Sequence, residues 1–197
     1  MKDKAFFYNY IEVFLKENAK LNLISKNDEK FLWEKHIYDS LSIENFFNRY
    51  GISFKTLLDF GTGGGFPSVP LALAYPELEV TALDSIRKKI NAIEEIKSAL
   101  CISNLSVICD RVENINQTFD VVTSRAVASL DKIVAYAVPR LNDDGYFVAY
   151  KSKKINEEID EAKPSLKKYN AEIIDIIQYD LPLEENYTRN LVIIRKK

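Results

Sequence analysis

The chain has 197 residues, 47% of them hydrophobic, which is enough for one well-buried core, and a single core is expected. Its 27 Lys and Arg against 29 Asp and Glu leave a formal charge of -2, which excludes a uniformly basic nucleic-acid binder but not a local basic face. Two cysteines and a single histidine, His36, supply neither a disulfide framework nor a zinc ligand set, and no apolar run reaches the length of a membrane span.

The first stretch, MKDKAFFYNYIEVF, contains acids and no small-residue cleavage site, so no signal peptide is expected and the cytoplasm is the expected compartment. Phe6, Phe7, Tyr10, Ile11, Phe14 and Leu15 fall on one face of a helix that runs to about Ala19. A turn-like KLNLISKND follows, with Asn22 as a turn or helix-capping residue. A second helix is predicted from about Glu29 to Phe47, broken near Asp39-Ser40, and His36 and Asp39 on it share a face as a polar pair holding this segment together. Residues 1–50 therefore read as a helical cap, too small to be independent and part of one unit with a main domain over 51–197.

From Thr56 onward strands and helices alternate, the mark of a mostly parallel sheet covered on both faces. Strands are predicted at Thr56 to Phe60, Glu79 to Leu83, Leu105 to Cys109, Phe119 to Thr123 and Gly145 to Tyr150, the last after an Asn142-Asp143-Asp144-Gly145 turn. Helices are predicted at Val69 to Ala74, Ser85 to Leu100, Leu130 to Arg140 and Asn156 to Tyr169. Ala171 to Tyr179 and Leu191 to Arg195 should close the sheet as a hairpin with a long connection, giving seven strands.

The first strand breaks into Gly61, Gly63, Gly64 and Gly65, whose backbones can take positive φ and let a ligand approach closely. The loop lacks the lysine followed by Ser or Thr that a phosphate loop requires. It carries instead a carboxylate, Asp59, at the strand end, which suits a ligand bearing an ammonium and a sulfonium, directly or through water, better than a pyrophosphate. Asp84, at the tip of the second strand, is placed to accept ribose hydroxyls. Together the two acids favour S-adenosylmethionine over a nicotinamide or flavin; a non-catalytic relic of such a fold is a further alternative.

Ligands of open α/β sheets bind beyond the C-terminal strand ends, so the polar residues there are the candidates for chemistry. Asp110-Arg111-Val112-Glu113 follows the third strand and should border an adenine; Ser124-Arg125 follows the fourth, where a methyl acceptor must come. An arginine beside a sulfonium is unfavourable unless a polyanion or an acidic neighbour offsets it, and the polyanion reading points to nucleic acid. Arg87 and Lys88 after the second strand, Lys151, Lys153 and Lys154 after the fifth, and Arg189 near the last are candidates for a phosphate-binding rim. No Asn-Pro-Pro-Tyr-type tetrapeptide follows the fourth strand to grip an exocyclic amine, and no Pro-Cys nucleophile is available for attack on a pyrimidine. Nitrogen 7 of guanine, which already has an in-plane lone pair, requires neither.

These residues resemble the bacterial small-subunit ribosomal RNA guanine-7-methyltransferases, also known as the glucose-inhibited division protein B family. The resemblance covers most of the chain: Asn22-Leu23, His36 and Asp39-Ser40-Leu41, then LLDFGTGGGFPSVPLA, ALDSIRKK, DRVEN, SRAVASL and RNLVIIRK. It implies a Rossmann-like class I S-adenosylmethionine-dependent methyltransferase fold with a seven-stranded sheet and a helical N-terminal cap. It further implies transfer of a methyl group to nitrogen 7 of a specific guanosine in 16S ribosomal RNA, in the small subunit or an assembly intermediate, by a cytoplasmic monomer. Asp59, Gly61, Gly63, Gly65, Phe66, Asp84, Val112 and Glu113 would hold the cofactor, and Arg125 would sit at the cofactor and the target base as the catalytic candidate; no metal is implied. Ser68, Val112 and Lys151-Ser152 depart from the glycine, alanine and Lys-Gly usual in the family. Ser68 is expected to serve as a helix cap.

Overall fold

The computed structural model describes residues 1–51, 54–153, 155–185 and 187–197. Seven strands form one sheet in the order β3-β2-β1-β4-β5-β7-β6. β1 (Thr56–Phe60), β2 (Glu79–Asp84), β3 (Leu105–Cys109), β4 (Phe119–Arg125) and β5 (Leu141–Ser152) run parallel, while β7 (Tyr187–Lys196) inserts antiparallel between β5 and β6 (Ala171–Leu181). The chain leaves β1 toward β2 and β3, then returns to place β4 on its other side. The strand order therefore reverses between β1 and β4, which opens a crevice at their C-terminal ends.

Alternate strand residues face opposite layers. Leu57, Val121, Val148, Tyr150, Leu191 and Ile193 join one core with α5 (Ser68–Ala74) and α6 (Arg87–Ala99); Leu58, Val122, Phe147, Ala149, Val192 and Ile194 join a second core, so the sheet divides into two what was expected as one. That second core lies under α7 (Leu130–Ala137) and α8 (Asn156–Lys168). The N-terminal helices complete the first layer: Phe7, Tyr10 and Phe14 of the first segment and Ile37, Leu41 and Phe46 of the next belong to the same cluster as the sheet. Phe46 stacks on Phe54 at 5.3 Å and meets Tyr146 edge-on at the same separation. The cap thus covers sheet surface that would otherwise be exposed.

Several boundaries differ from expectation for physical reasons. The first helix, α1, is Tyr8–Leu21 and ends on Asn22 in the left-handed conformation (φ 50°), a capping role. The expected second helix is in pieces: α2 (Lys26–Glu29), a π-helical segment Leu32–Tyr38, a single turn α3 (Asp39–Leu41) and α4 (Glu44–Tyr50). The break falls at residues 42–43, after Asp39-Ser40, and the widened π turn puts Lys35, His36 and Asp39 against the sheet end. β5 starts at Leu141 because Phe119 pairs with Leu141 and a register shift absorbs the Asn142–Asp144 stretch that reads as a turn. β6 and β7 pair as far as Leu181 and Tyr187, so their connection is short where a long one was expected. No helix among the described residues is long and apolar enough to cross a membrane.

Candidate functional site

The site is built on the loop from Gly61 to Pro67. Its Thr62 N–H donates to the Leu83 carbonyl (3.0 Å) and its Gly63 N–H to Asp84 Oδ2 (3.0 Å), which ties the loop to the end of β2. Gly61 has φ +70°, and a Cβ there would overlap Val127 Cγ2; at Gly65, with φ +92°, a Cβ would lie 2.7 Å from Val69 Cγ2. Any larger residue at either position meets both backbone strain and a side chain already in place.

Asp59 supports this loop from beneath. It is fully buried, accepting from the Ser68 N–H (3.2 Å) and the Thr123 hydroxyl (3.3 Å), and burial pushes its carboxyl up to about 7. Of the two ways Asp59 was expected to meet the ligand's cationic groups, direct contact is corrected: it lines neither of the two cavities flanking the loop, and its oxygens accept from Ser68 and Thr123. Ser68 is the first residue of α5 and not its cap; its hydroxyl lies 2.6 Å from that of Thr62, an interaction that glycine could not make.

The first flanking cavity, about 370 Å³, lies between the ends of β2 and β3 and is walled by Phe60, Leu83, Asp84, Val112, Glu113 and Tyr136. Asp84 faces it while also accepting from the Ile86 N–H (2.9 Å), with Lys89 Nζ 3.9 Å away. A carboxylate has about four lone-pair sites, so two backbone donors leave capacity for a diol. The wall opposite is held by Arg140, which donates to the Val112 carbonyl (3.1 Å) and the Glu113 carbonyl (3.0 Å).

The second cavity, about 710 Å³, opens between the loop, the cap and the ends of β4 and β5, with Phe66, His36, Arg125, Lys151 and Arg189 in its wall. Gly61 and Val127 line both cavities, so the two halves meet over the first glycine. Phe66 is buried and carries Arg125 over its ring at 5.3 Å, with His36 at 5.0 Å.

Arg125 is the centre of a network that sequence patterning does not reveal. Its Nη1 donates to Asp39 Oδ2 (2.8 Å) and to the Lys35 carbonyl (3.0 Å), and its Nη2 lies 3.1 Å from His36 Nδ1. Asp39 is buried and also accepts from the Tyr179 hydroxyl (2.7 Å), with Arg189 Nε 3.8 Å away. Two expectations change here. The acidic neighbour that offsets Arg125 is inside the protein, and His36 and Asp39, expected to pair with each other, both grip Arg125. Burial, reinforced by the Arg125 charge, pushes the His36 imidazole down to about 4, so at neutral pH it is uncharged and offers Nδ1 to the guanidinium.

The basic rim divides. Arg87, Lys88 and Lys153 are exposed at their strand ends. Lys151 is not part of a solvent-facing rim: it is buried, donating to the Ala128 carbonyl (2.8 Å) and to Glu158 (2.7 Å), which in turn accepts from the Leu130 N–H (2.9 Å). The pair fixes the loop after β4, where Ala126 has φ 56°. Arg189 is half-buried, its guanidinium 5.3 Å from the Tyr187 ring centroid. Lys154 lies outside the described residues. Asp39, Lys35, Tyr179 and Glu158 do not stand out in the sequence as site residues in this role because their partners are far away along the chain; the only available signal is the need of Arg125 for a counter-charge.

The family model for rRNA small subunit methyltransferase G, GidB, matches residues 3–191. Curated relatives with the name ribosomal RNA small subunit methyltransferase G include those of Bacillus licheniformis (35% identity over 97% of this chain and 81% of the relative) and Staphylococcus haemolyticus (36%, 100% and 82%). That of Bacillus subtilis is 34% identical over 96% of this chain and 81% of its own length. Among solved structures, an S-adenosylmethionine-dependent methyltransferase from Clostridium acetobutylicum superposes with a TM-score of 0.64 at 13% identity, covering 88% of this chain and all of that one. M. jannaschii TYW2 in complex with AdoMet gives 0.60 at 18% identity, over 79% and 76%.

Proposed function

The chain belongs to the rRNA small subunit methyltransferase G family, and from that premise we propose that it methylates nitrogen 7 of one guanosine in 16S ribosomal RNA with S-adenosylmethionine as donor. The observation that carries this reading is the pair of cavities meeting over Gly61, one suited to an adenosine and the other large enough for a nucleotide.

The residues present fit the donor. Asp84 would take the ribose hydroxyls, Val112 and Glu113 would border the adenine, and Gly61, Gly63 and Gly65 would let the donor lie along the loop into the second cavity, beside Phe66. When bound, it supplies a methyl group on a sulfonium. Nitrogen 7 of guanine uses a lone pair and loses no proton, so the site needs no general base, in keeping with a neutral His36 and an Asp59 sealed below the loop. Rate enhancement then comes from placement of the base.

Arg125 touches the acceptor base or its phosphate and is the catalytic candidate. The acceptor gains positive charge as the bond forms, and Asp39 makes this tolerable by holding the charge of Arg125 in a pair before the base arrives. Guanine presents two acceptors on its major-groove edge, and a guanidinium fixed by Asp39, His36 and the Lys35 carbonyl is oriented to meet the carbonyl one. Arg87, Lys88 and Lys153 would contact phosphates outside the cavity. Residues 1–50 act as a cap of the same unit as 51–197, because Arg125 is completed by the cap. The protein works as a cytoplasmic monomer on the small subunit or an assembly intermediate, in which the target base is already unstacked.

The test is transfer of labelled methyl from S-adenosylmethionine to small subunits that lack the modification, followed by nucleoside analysis. Label in 7-methylguanosine is expected; label in another base, in protein or in small molecules overturns the assignment.

A further inference from the structure

Lys35 and Tyr187 wall the larger cavity on one side, and on the other they open a separate groove of about 610 Å³ between the cap and the connection from β6 to β7. The two walls of this groove differ in charge. The cap contributes Lys30, Phe31, Glu34 and Lys35, two cations against one acid, with the two ammonium groups 5.0 and 4.7 Å from the Phe31 ring centroid; Lys35 also meets Asp28 at 3.1 Å. The β6 to β7 connection contributes the exposed acids Glu184 and Glu185. Tyr187 stands at the junction with 46% of its surface exposed, and nothing in the chemistry described above uses it.

We propose that this groove binds the nucleotide adjacent to the methylated one in an unpaired RNA strand, its base stacked on Tyr187, its phosphate against Lys30 and Lys35, and its amino edge toward Glu184 and Glu185. The inference rests on the RNA reading given above. A strand with one nucleotide in the larger cavity must leave through its mouth, and a groove sharing two side chains with that mouth receives the neighbour. Unpaired RNA is held by aromatic stacking and by hydrogen bonds to base edges. The opposed charges add an orientation: a sugar-phosphate chain is repelled by the acidic wall and drawn to the lysines, while carboxylates accept from base amino groups. A groove for phosphate alone would have no use for the acids, and a groove for a basic peptide would be weakened by the lysines.

The test uses small subunits assembled on 16S RNA that carries 2-aminopurine on either side of the target guanosine. Wild-type protein and Tyr187→Phe are expected to quench the probe at one flank through stacking. Tyr187→Ala should lose the quench and raise KM for the subunit at least about fivefold, with unchanged affinity for S-adenosylmethionine. Quenching at neither flank, or a Tyr187→Ala KM within about twofold of wild type, overturns the groove while methyl transfer itself continues. If wild-type protein transfers no methyl to the RNA, the premise fails and the proposed ligand fails with it.

Discussion

The two cavities are built in different ways. The smaller one is local: Asp84 is fixed by N–H groups of Gly63 and Ile86, and Val112 and Glu113 sit on one short turn after β3. The larger one is assembled from far along the chain, with Arg125 meeting Asp39 across 86 positions and Tyr179 meeting Asp39 across 140. In the first, a carboxylate faces the cavity with acceptor capacity to spare. In the second, nearly every charge is matched within the protein before substrate arrives. The contrast is between a surface that recognises through open valences and a scaffold that holds one guanidinium in position.

The largest effect should come from removing the counter-charge. Asp39→Ala removes the buried partner of the half-buried Arg125, whose charge keeps only the Lys35 carbonyl and His36, and losing one partner of a largely buried pair costs up to about 3–5 kcal/mol. Urea unfolding would measure this, and a loss below about 1 kcal/mol would show that Arg125 does not depend on the cap. Replacing both partners separates stability from function: Asp39→Leu with Arg125→Met should recover part of the folding free energy, the buried Tyr179 hydroxyl still lacking its acceptor, while methyl transfer stays lost.

Asp84→Ala tests the other cavity. A hydrogen bond to a charged acceptor contributes about 1.5–3 kcal/mol, so S-adenosylmethionine affinity should fall roughly ten- to hundredfold by calorimetry. The fold should tolerate the change better than it tolerates Asp39→Ala, because Asp84 lies beside an open cavity. Unchanged affinity would mean that the second-strand acid serves only to tie down the Gly63 backbone.

Much of the smaller cavity is legible in the sequence because its parts are contiguous with recognisable strands. Thr56–Phe60 and Leu105–Cys109 have the expected bounds, and Asp84 stands at the tip of the strand that follows the glycine cluster, where a sequence pattern can find it. The larger cavity is legible in Gly61, Gly63, Phe66, Arg125, Lys151 and Arg189 as members of its wall, but not in how their charges are paired. A sequence records that Lys151 is charged but not that Glu158, on α8, takes up that charge, so Lys151 reads like Lys88 until the fold brings α8 across the sheet end. Asp59 makes no direct contact with either cavity for a related reason: alternation along β1 and the Ser68 N–H turn its side chain under the loop. The cap's pieces are obscured by the π-helical turn, whose residues keep a helical apolar spacing while shifting the register that presents His36 and Asp39.

The fully buried Asp59 and the partly buried His36 give a pH test with opposite signs. The Asp59 carboxyl has its pKa raised from 3.8 to about 7, so the folded protein holds a proton that the unfolded chain releases, and stability falls as pH rises between about 4 and 7. His36 has its pKa lowered from 6.5 to about 4, so the unfolded chain binds the extra proton, and stability rises with pH over about 4 to 6.5. Each group alone gives a slope of up to about 1.4 kcal/mol per pH unit, and in the wild type they largely cancel. Asp59→Asn should expose the rising slope and His36→Gln the falling one in urea midpoints taken across that range. Parallel profiles in the two variants would show that the pair does not titrate as assigned.

The smallest expected effect distinguishes an exposed cation from a sequestered one. Lys88 is exposed at the start of α6, where a phosphate can replace its counterion, whereas Lys151 is only 8% exposed and already donates to Glu158 and to the Ala128 carbonyl. Each phosphate that a side-chain cation neutralises adds about 0.7 for a single strand, or about 0.9 for a duplex, to the steepness of log affinity against log salt. Lys88→Ala should therefore weaken binding to small subunits modestly and flatten the salt dependence by roughly that amount. Lys151→Met should leave that slope unchanged, because no counterion is released where the ammonium is already paired. Its effect should appear in kcat, through the loop from Ala126 to Ser129 that the Lys151–Glu158 pair holds in place over Gly61. A Lys151→Met protein whose salt slope drops as far as that of Lys88→Ala would show that the buried pair opens to the RNA backbone, and the larger cavity would then recognise its substrate through open valences much as the smaller one does.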